Sequence, residues 1–482
     1  MNILFLSPPN ISAGNIIRDA VYGCWCQGKR IAGAQTPPYP LLLLATVLRR
    51  EGHKARVIDA CAQGIGLDKL AAIVKEYDIL VIISSVMTFF EDSIIFGRMK
   101  EANKGLITIV AGAQSTFLPE LTLKNSSVDI IVRREPEFII RDLINAMQKP
   151  GAAWHSVKGI GYKTGEKNVI NDFYPLIENL DELPFVDWNL LEVGSSYFNP
   201  IIKNMPYVTD LTTRGCYANC TFCMSPSFYG NKIRARSAQN VLEGFRRHVS
   251  NGFKEVYLRD EMFTAFTERN RAICETMIAE KIPLTWICSA RIGSVDRPML
   301  ELMKRAGCHT IKFGVESGVQ ELLDNVKKGI TLKETEDVFL WCKKLGIRTH
   351  AHFMVGLPGE SRDTLKRTMA FAKKISPVTA TFGMFTPYPG TKIFEEIAKD
   401  NPGIKQGLNM PVKDLHTVSF FTDKLCKLSA KELSESVVSM HRQFYLRPGY
   451  IFSWLGRIRS LKDLKNVSRA GLSLFDFSLR GE

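Results

Sequence analysis

The sequence predicts an α/β protein with two parallel-sheet domains and a helical carboxyl-terminal region. Short apolar runs alternate with helical segments over residues 1–150, and the same alternation resumes over residues 201–400. Strand alternating with helix is typical of parallel sheets covered by helices. Helical periodicity without strands marks residues 401–482. We therefore expect a doubly wound, Rossmann-like domain, then a partial (β/α)6 barrel of the TIM type, then a helical region.

The composition favours a globular chain with an anionic partner. Of the 482 residues, 45% are hydrophobic and 23% are charged, which excludes a disordered or fibrous protein. The formal net charge of +14 is compatible with a phosphorylated small molecule, a nucleic acid or a membrane surface. No segment approaches the roughly 20 apolar residues of a membrane-spanning helix, and no export signal precedes the first strand. We expect a cytoplasmic protein.

The first domain is predicted from five strand-like runs with helices between them. These runs are ILFLS, ARVIDA, ILVIISS, LITIVAG and DIIVRR. In a doubly wound sheet the ligand lies beyond the carboxyl ends of the strands. Residues 151–200 are interpreted as a linker, because they contain only a hairpin pattern, KGIGYKTGEKNVIN, and the proline-containing stretch LDELPF.

The second domain is predicted from six consecutive βα units. Its candidate strands are VTDLTT, EVYLRD, TWICSA, TIKFGVES, HAHFMVGLP and TATFGMFTP. Helices are predicted near residues 237–250, 268–280, 296–306, 332–345 and 361–375. Six such units favour a partial or full barrel, in which the chemistry takes place at the carboxyl ends of the strands.

The carboxyl-terminal region contains a helix signal and a basic segment. Ser429 and Glu432 form an S-x-x-E capping box before apolar residues at helical spacing, and Pro448 ends this helix. Apolar and basic residues then mix over residues 451–464. This amphipathic pattern fits a helix packed on the barrel, which we prefer, or peripheral contact with a membrane.

Three clustered cysteines predict a metal site. Cys216, Cys220 and Cys223 form a C-x3-C-x2-C array directly after the first predicted barrel strand. A structural zinc requires a fourth ligand nearby, and the next histidine, His248, lies inside a predicted helix. Three thiolates suit a [4Fe-4S] cluster with one open iron that can bind a substrate or cofactor.

This loop resembles the signature of the radical S-adenosylmethionine (radical SAM) enzymes. In that family the open iron binds the amino and carboxylate groups of S-adenosylmethionine, and reductive cleavage gives a deoxyadenosyl radical that abstracts hydrogen from substrate. The resemblance extends from Thr212 to Phe394. It implies that Phe222 occupies the aromatic position whose backbone contacts adenine.

The resemblance also implies contacts to S-adenosylmethionine at the ends of the next strands. Asp260 and Glu261 in YLRDEMFT match the acidic motif that receives the methionyl ammonium group; the alternative is two solvated loop acids. Ser289 and Arg291 in CSARIGS match the ribose and carboxylate contacts. The remaining matches are Gly314 and Glu316 in KFGVESG, at positions that bind ribose or line the substrate cavity.

The domain order resembles the cobalamin-binding class of radical SAM proteins, in which cobalamin lies between the two domains. The cobalt-ligating D-x-H-x-x-G pattern is absent, so no protein histidine is expected below the cobalt. Ser84 and Ser85 end the strand ILVIISS and are candidate contacts, with strand-end caps as the alternative. Gly112 is a third candidate, where the class often reads G-G-P-H.

A C-x-C pair at Cys24 and Cys26 follows the first strand. The pair offers two ligands for a second metal or a redox function. We prefer the alternative, a loop with two small apolar thiols.

Cobalamin-dependent C-methylation of a small-molecule or lipid substrate is the leading hypothesis. The alternative is a cobalamin-free radical rearrangement, ring contraction or cyclisation of a lipid or isoprenoid-linked substrate, because hopanoid-type members of the family share TRGC, KKG, LPGE and PYPGT with this chain. A non-enzymatic iron–sulfur protein or a nucleic-acid binder is a distant third hypothesis, since the basic residues lack interleaved aromatic platforms. The resemblance implies an electron donor such as flavodoxin or ferredoxin.

Overall fold

Two parallel sheets dominate the computed structural model, which describes residues 1–11, 22, 35–151, 153–191, 197, 199–407 and 425–455. The first sheet has seven strands and the second has six, and a two-stranded ribbon accompanies the second. The predicted α/β class is confirmed.

The first sheet has the strand order of a doubly wound fold. Its strands are β1 (Asn2–Ser7), β2 (Lys54–Asp59), β3 (Ile79–Ile83), β4 (Ile107–Ala111), β5 (Ile130–Val132), β6 (Ile160–Thr164) and β7 (Lys167–Ile170). Its helices are α1 (Tyr39–Arg50), α2 (Ala60–Gln63), α3 (Leu67–Ile73), α4 (Phe89–Ala102), α5 (Ala113–Phe117), α6 (Pro119–Lys124) and α7 (Pro136–Met147). The order is β2-β1-β3-β4-β5-β6-β7, with β1 to β5 parallel.

Alternate residues of β1 pack on opposite faces of this sheet. Ile3 and Phe5 lie in one core with α1 and α7, whereas Leu4 and Leu6 lie in another with α3 and α4. All four side chains are buried. A parallel strand covered by helices on both faces must be apolar throughout, which explains the uninterrupted run ILFL.

The predicted hairpin forms, and it belongs to the first sheet. β6 pairs antiparallel with β5 and with β7. The two strands therefore extend the sheet beyond residue 150, into the segment interpreted as a linker. Apolar Ile160 and Tyr162 are buried there, so the hairpin completes the core that β5 alone would leave open.

The second sheet is a six-stranded partial barrel. The strands of this half are β8 (Tyr207–Asp210), β9 (Thr213–Arg214), β10 (Arg234–Ala235), β11 (Glu255–Leu258), β12 (Thr285–Ala290), β13 (Cys308–Glu316), β14 (Arg348–Val355) and β15 (Thr379–Met384). Its helices are α8 (Ser225–Tyr229), α9 (Ala238–Ser250), α10 (Thr267–Ala279), α11 (Arg297–Arg305), α12 (Gln320–Asn325), α13 (Leu332–Leu345), α14 (Arg362–Ile375), α15 (Lys392–Ile397) and α16 (Pro402–Lys405). The order β8-β11-β12-β13-β14-β15 is parallel, and β9 and β10 form the antiparallel ribbon.

The chain before α1 lies against β8, which is an edge strand of the partial barrel. The Tyr207 hydroxyl donates to the Gln35 carbonyl oxygen at 2.6 Å, and the Thr209 hydroxyl lies 3.4 Å from the Pro37 carbonyl oxygen. Both side chains belong to the strand face that points into the barrel lumen, because the intervening Val208 lies in the core with the helices. The first domain thus supplies part of the barrel wall.

The two domains also meet through the loops after their strands. Val86 and Leu118 of the first domain share an apolar cluster with Phe394 of the barrel domain. The Tyr388 hydroxyl lies 3.2 Å from the Met87 sulfur. Because these residues lie in the segments that follow β3, β4 and β15, the carboxyl-terminal edges of the two sheets face each other.

The carboxyl-terminal region begins with the predicted capped helix. Residues Ala430–Tyr445 form α17, and the Ser429–Glu432 capping box is present. Tyr445 hydroxyl donates to the Ala380 carbonyl oxygen at 2.6 Å, which fixes α17 on β15. A further helix, α18, spans Pro448–Leu455. Residues 456–482, with most of the basic segment, lie outside the described residues. None of the described helices is long and apolar enough to cross a bilayer.

Candidate active site between the two domains

The three predicted cluster ligands lie in one loop between β9 and α8. Gly215 begins this loop with φ of 88°, and a Cβ there would lie 2.6 Å from the Lys232 carbonyl oxygen. Only glycine fits such a turn. Cys220 is buried, whereas Cys216 and Cys223 are partly exposed.

The surroundings of Cys216 and Cys223 favour the neutral thiols in the absence of metal. Burial raises the pKa of Cys223, and the nearby Glu261 carboxylate adds to this effect. Burial is also the main cause that raises the pKa of Cys216. Arg291 Nη1 lies 3.7 Å from Cys220 Sγ. A thiol with a raised pKa ionises when a metal cation replaces its proton.

The donor set fits a [4Fe-4S] cluster. The cysteine loop supplies three thiols, those of Cys216, Cys220 and Cys223. A structural zinc needs four ligands around one ion, whereas thiolates of a cluster bind separate irons. Three cysteines would leave one iron without a protein ligand.

The two predicted acids have different environments. Asp260 is fully buried, and its carboxylate accepts bonds from the Thr212 backbone N–H at 2.6 Å and the Thr212 hydroxyl at 2.5 Å. Burial raises the pKa of Asp260. Glu261 Oε2 accepts from the Gly215 N–H at 2.8 Å. The acid beside the cysteine loop is therefore Glu261, while Asp260 holds the end of β8.

Predicted residues of β13 form a compact group with one lysine. Glu316 Oε1 lies 2.6 Å from Lys328 Nζ, and both side chains are largely buried. The Phe222 ring centroid is 5.8 Å from the same Nζ. A Cβ at Gly314 would collide with the Glu316 carboxylate. Lys328 lies in the KKG motif, for which the sequence alone predicts no role.

Arg291 bridges this group and the cysteine loop. Its second guanidinium nitrogen, Nη2, donates to the Gly329 carbonyl oxygen at 3.3 Å. Ser289, two residues earlier, is half-buried on β12. The structure thus brings the predicted residues of β12 and β13 to the carboxyl end of the barrel, beside the cysteines.

A buried ionic network joins the cysteine loop to the first domain. Arg214 contacts Glu135 at 2.9 Å and Glu137 at 2.5 Å, and Arg234 contacts Glu135 at 2.8 Å. The Tyr22 hydroxyl donates to Glu137. Burial alone raises the pKa of Glu135, but the two arginines outweigh it and hold the pKa below its usual value. The charges are therefore paired.

Sequence reasoning missed this network. Arg214 directly precedes Gly215 in TRGC, whereas Glu135 and Glu137 lie at the start of α7. Their separation along the chain hides the pairing, and the local signal is only a cluster of charges in RREPEF. The network ties the start of the cysteine loop to the edge of the first sheet.

The predicted serines of the first domain bond within their own loop. Ser84 Oγ donates to Asp92 Oδ2 at 2.6 Å. The hydroxyls of Ser85 and Thr88 are 3.1 Å apart, and the Thr88 N–H donates to Ser85 Oγ at 3.2 Å. These bonds organise the turn into α4.

Gly112 lies at a close approach of three segments. Its φ is 108°, and a Cβ there would lie 2.8 Å from both the Ser84 and the Tyr22 carbonyl oxygens. Cys24 and Cys26 lie outside the described residues.

Comparisons with known proteins identify the family. Residues 211–372 match the radical SAM superfamily, and residues 31–144 match the B12 binding domain. An uncharacterized methyltransferase of Pyrococcus horikoshii is 30% identical over 93% of this chain and 93% of its own length. The chain belongs to the radical SAM superfamily.

Two further proteins resemble this radical SAM protein over most of its length. The anaerobic magnesium-protoporphyrin IX monomethyl ester cyclase of Rubrivivax gelatinosus is 27% identical, covering 94% of the chain and 78% of the cyclase. The radical S-adenosylmethionine methyltransferase of Kitasatospora setae, solved with cobalamin and a [4Fe-4S] cluster, shares the fold with a TM-score of 0.66 at 17% identity. It covers 84% of this chain and 79% of its own. The radical SAM protein is therefore an enzyme, and the predicted domain order is confirmed.

Proposed function

We propose that this radical SAM enzyme is a cobalamin-dependent methyltransferase acting on a small-molecule or lipid substrate. The observation that carries the proposal is the facing arrangement of the two sheets. The cysteine loop follows β8 and β9, and the Arg214 network fixes that loop against the edge of the first sheet. A cluster on the loop and a cobalamin at the sheet edge would share one cavity.

The residues of the barrel end have distinct proposed roles. Cys216, Cys220 and Cys223 would hold the [4Fe-4S] cluster, which supplies the electron that cleaves S-adenosylmethionine. Glu261 would accept hydrogen bonds from the methionyl ammonium, and Arg291 would donate to its carboxylate. The relative from Pyrococcus horikoshii, an uncharacterized methyltransferase, supports methyl transfer.

The first domain would hold cobalamin without a histidine below the cobalt. His53 precedes β2, so it lies at the opposite edge from the carboxyl ends of the strands, and its Nε2 is 3.0 Å from Asn145 Oδ1. Gly112, which follows β4, would lie beside the cofactor, and the chain's own Ser84 and Tyr22 carbonyl oxygens fill the space of a side chain there. Ser84 and Ser85 would also contact the corrin.

The proposed reaction requires an electron donor outside the chain. A flavodoxin or a ferredoxin would reduce the cluster. For a lipid substrate, the basic segment over residues 451–464 would provide peripheral membrane contact.

Anaerobic reconstitution with iron, sulfide and hydroxocobalamin tests the proposal. We expect about four irons, the content of one such cluster, and near-stoichiometric cobalt per chain, with deoxyadenosine formed from S-adenosylmethionine under reducing conditions. A parallel reconstitution without hydroxocobalamin is the control. Iron without cobalt would contradict the methyl-transfer proposal and favour rearrangement or cyclisation, which the cyclase relative performs by name.

A further inference from the structure

The lumen face of β13 and β14 is polar. Phe313 of β13 and Phe353 of β14 point outward into the core with the helices, so their neighbours along each strand point inward. These inward positions carry Lys312, His350 and His352. Barrels packed for stability fill their interior with branched apolar residues. Polar side chains at these inward positions therefore favour the binding of a polar group.

Lys312 is a cation without an acid beside it in the described part of the chain. Its Nζ donates to the Tyr257 hydroxyl at 2.7 Å and lies 5.3 Å from the centre of that ring. The Arg259 guanidinium lies 5.1 Å from the same ring centre. Lys312 is only partly exposed. Removing an ammonium from water is costly unless an anion or several acceptors replace the water.

The neighbouring acids of the lumen already have partners. Glu316 is paired with Lys328 at 2.6 Å. Glu255, at the opposite end of the lumen, accepts hydrogen bonds from the backbone N–H groups of Lys203 and Asn204. Neither carboxylate is left for Lys312, and no ion pair joins Lys312 to an acid among the described residues.

Two histidines extend the polar surface beside Lys312. His350 is the register partner of Lys312 across β13 and β14, and its Nδ1 is 2.7 Å from the Thr379 hydroxyl. His352 Nδ1 is 2.7 Å from the Thr381 hydroxyl. The rings lie 4.4 Å apart. His352 is partly exposed, and its Nε2 has no hydrogen-bonding partner in the described ranges.

We propose that Lys312 and His352 bind an anionic oxygen group, a carboxylate or a phosphate or phosphonate, of the methyl-accepting substrate. The proposal rests on the methyltransferase function and adds a substrate class to it. Lys312 supplies charge and His352 Nε2 supplies a hydrogen bond. The group would sit two residues below Gly314 along β13. The rest of the substrate would then extend toward Glu316 and the cysteine loop, where the proposed cofactors lie.

Binding of small anions to the reconstituted enzyme tests this site. Inorganic phosphate and acetate are the two probes, titrated by isothermal calorimetry into enzyme holding its cluster, cobalamin and S-adenosylmethionine, so that the methionine carboxylate already occupies its own contacts. We expect one probe to bind, and Lys312→Met to weaken it by about tenfold or more. The matched control is Lys344→Met on the exposed face of α13, which should bind like wild type.

Further variants keep the test decisive. Lys312→Arg retains a donor and should bind the probe more tightly than Lys312→Met. In the same way, His352→Gln should bind it more tightly than His352→Phe. If Lys312→Met does not fold, the two His352 variants test the site without it. Phosphate or acetate selectivity identifies the source of the anionic group. Failure of both probes to bind, or equal affinities in Lys312→Met and Lys344→Met, would overturn the proposal. Cobalt and deoxyadenosine measurements on wild type report separately on the methyltransferase function.

Discussion

The edge of the first sheet and the end of the barrel face each other, yet their predicted residues behave differently. At the barrel end, Glu261 and Arg291 lie beside the cysteine loop. At the sheet edge, Ser84 and Ser85 bond to residues of their own loop, and Gly112 offers only the absence of a side chain.

This difference reflects how each kind of ligand is held. A metal cluster needs particular side chains at a particular spacing, so its site can be recognised in the sequence. A large cofactor held by shape and by backbone atoms needs space and conformation, which many sequences provide.

Replacing a cluster ligand should abolish the barrel-end site. We expect Cys220→Ala to lose iron, sulfide and deoxyadenosine formation together, because two thiols do not retain the cluster. Cys426→Ala, at a part-buried thiol outside the cysteine loop, is the control and should keep all three. Reductant-dependent deoxyadenosine formation by Cys220→Ala would refute the cluster assignment.

Breaking the buried network should damage both regions at once. Arg214→Met leaves Glu135 and Glu137 buried with unbalanced charge, so the free energy of unfolding should fall by about 3–5 kcal/mol in urea titrations. Arg246→Met, in an exposed pair with Glu280, is the matched control and should leave the urea midpoint unchanged. Similar midpoints for the two variants would show that the network does not hold the domains together.

The two neighbouring acids should separate structure from cofactor binding. Asp260→Ala removes the acceptor of the buried Thr212 N–H, which should cost about 1–3 kcal/mol of stability. Glu261→Gln should fold and bind iron normally but bind S-adenosylmethionine more weakly, by on the order of tenfold. Equilibrium dialysis and urea unfolding measure the two effects. A stable Asp260→Ala variant with weakened cofactor binding would instead support the role that the family resemblance implies for Asp260.

A side chain at Gly112 should disturb the edge of the first sheet. In Gly112→Ala the new Cβ meets two backbone oxygens at a positive φ, so we expect a loss of about 1–3 kcal/mol and reduced cobalt retention. Gly105→Ala is the control, since its nearest neighbour is 3.6 Å away. Unchanged stability in Gly112→Ala would mean that the edge is more adaptable than its geometry indicates.

The buried His350 in the lumen should make the free energy of unfolding depend on pH. Burial, with a smaller effect of Lys312, lowers the pKa of His350 to about 3, whereas an unfolded histidine titrates near about 6.5. The unfolded chain therefore binds a proton that the folded chain does not, and stability falls as the pH drops below about 6.5, by up to ~1.4 kcal/mol per unit. His350→Gln should flatten this slope between about pH 6.5 and 5. The exposed His155→Gln control should not, and identical slopes for the two variants would contradict the buried, neutral state.

Much of the fold could be predicted because local patterns decide it. The predicted helices near 332–345 and 361–375 appear as Leu332–Leu345 and Arg362–Ile375, each started by a capping box. The hairpin was predicted from its turn residues, but its place in the first sheet depends on pairing with β5, which no local pattern encodes.

The site divides in the same way. The three cysteines lie in one short segment, so their C-x3-C-x2-C spacing could be recognised in the sequence. The polar lumen was missed, although T-I-K-F-G and H-A-H-F-M alternate polar and apolar residues with the period of a strand. In a parallel sheet, where both faces are usually apolar, this alternation was the available signal. The Arg214 network left no comparable signal, because its partners meet only after folding.

The contact between residues 35–37 and β8 has a consequence for how the protein can be divided. A barrel produced without the preceding domain would expose an unpaired strand edge and a polar cavity open to water. Such a fragment should aggregate, however well its own helices form. Exchanging either domain with that of a relative would therefore require moving this short segment as well.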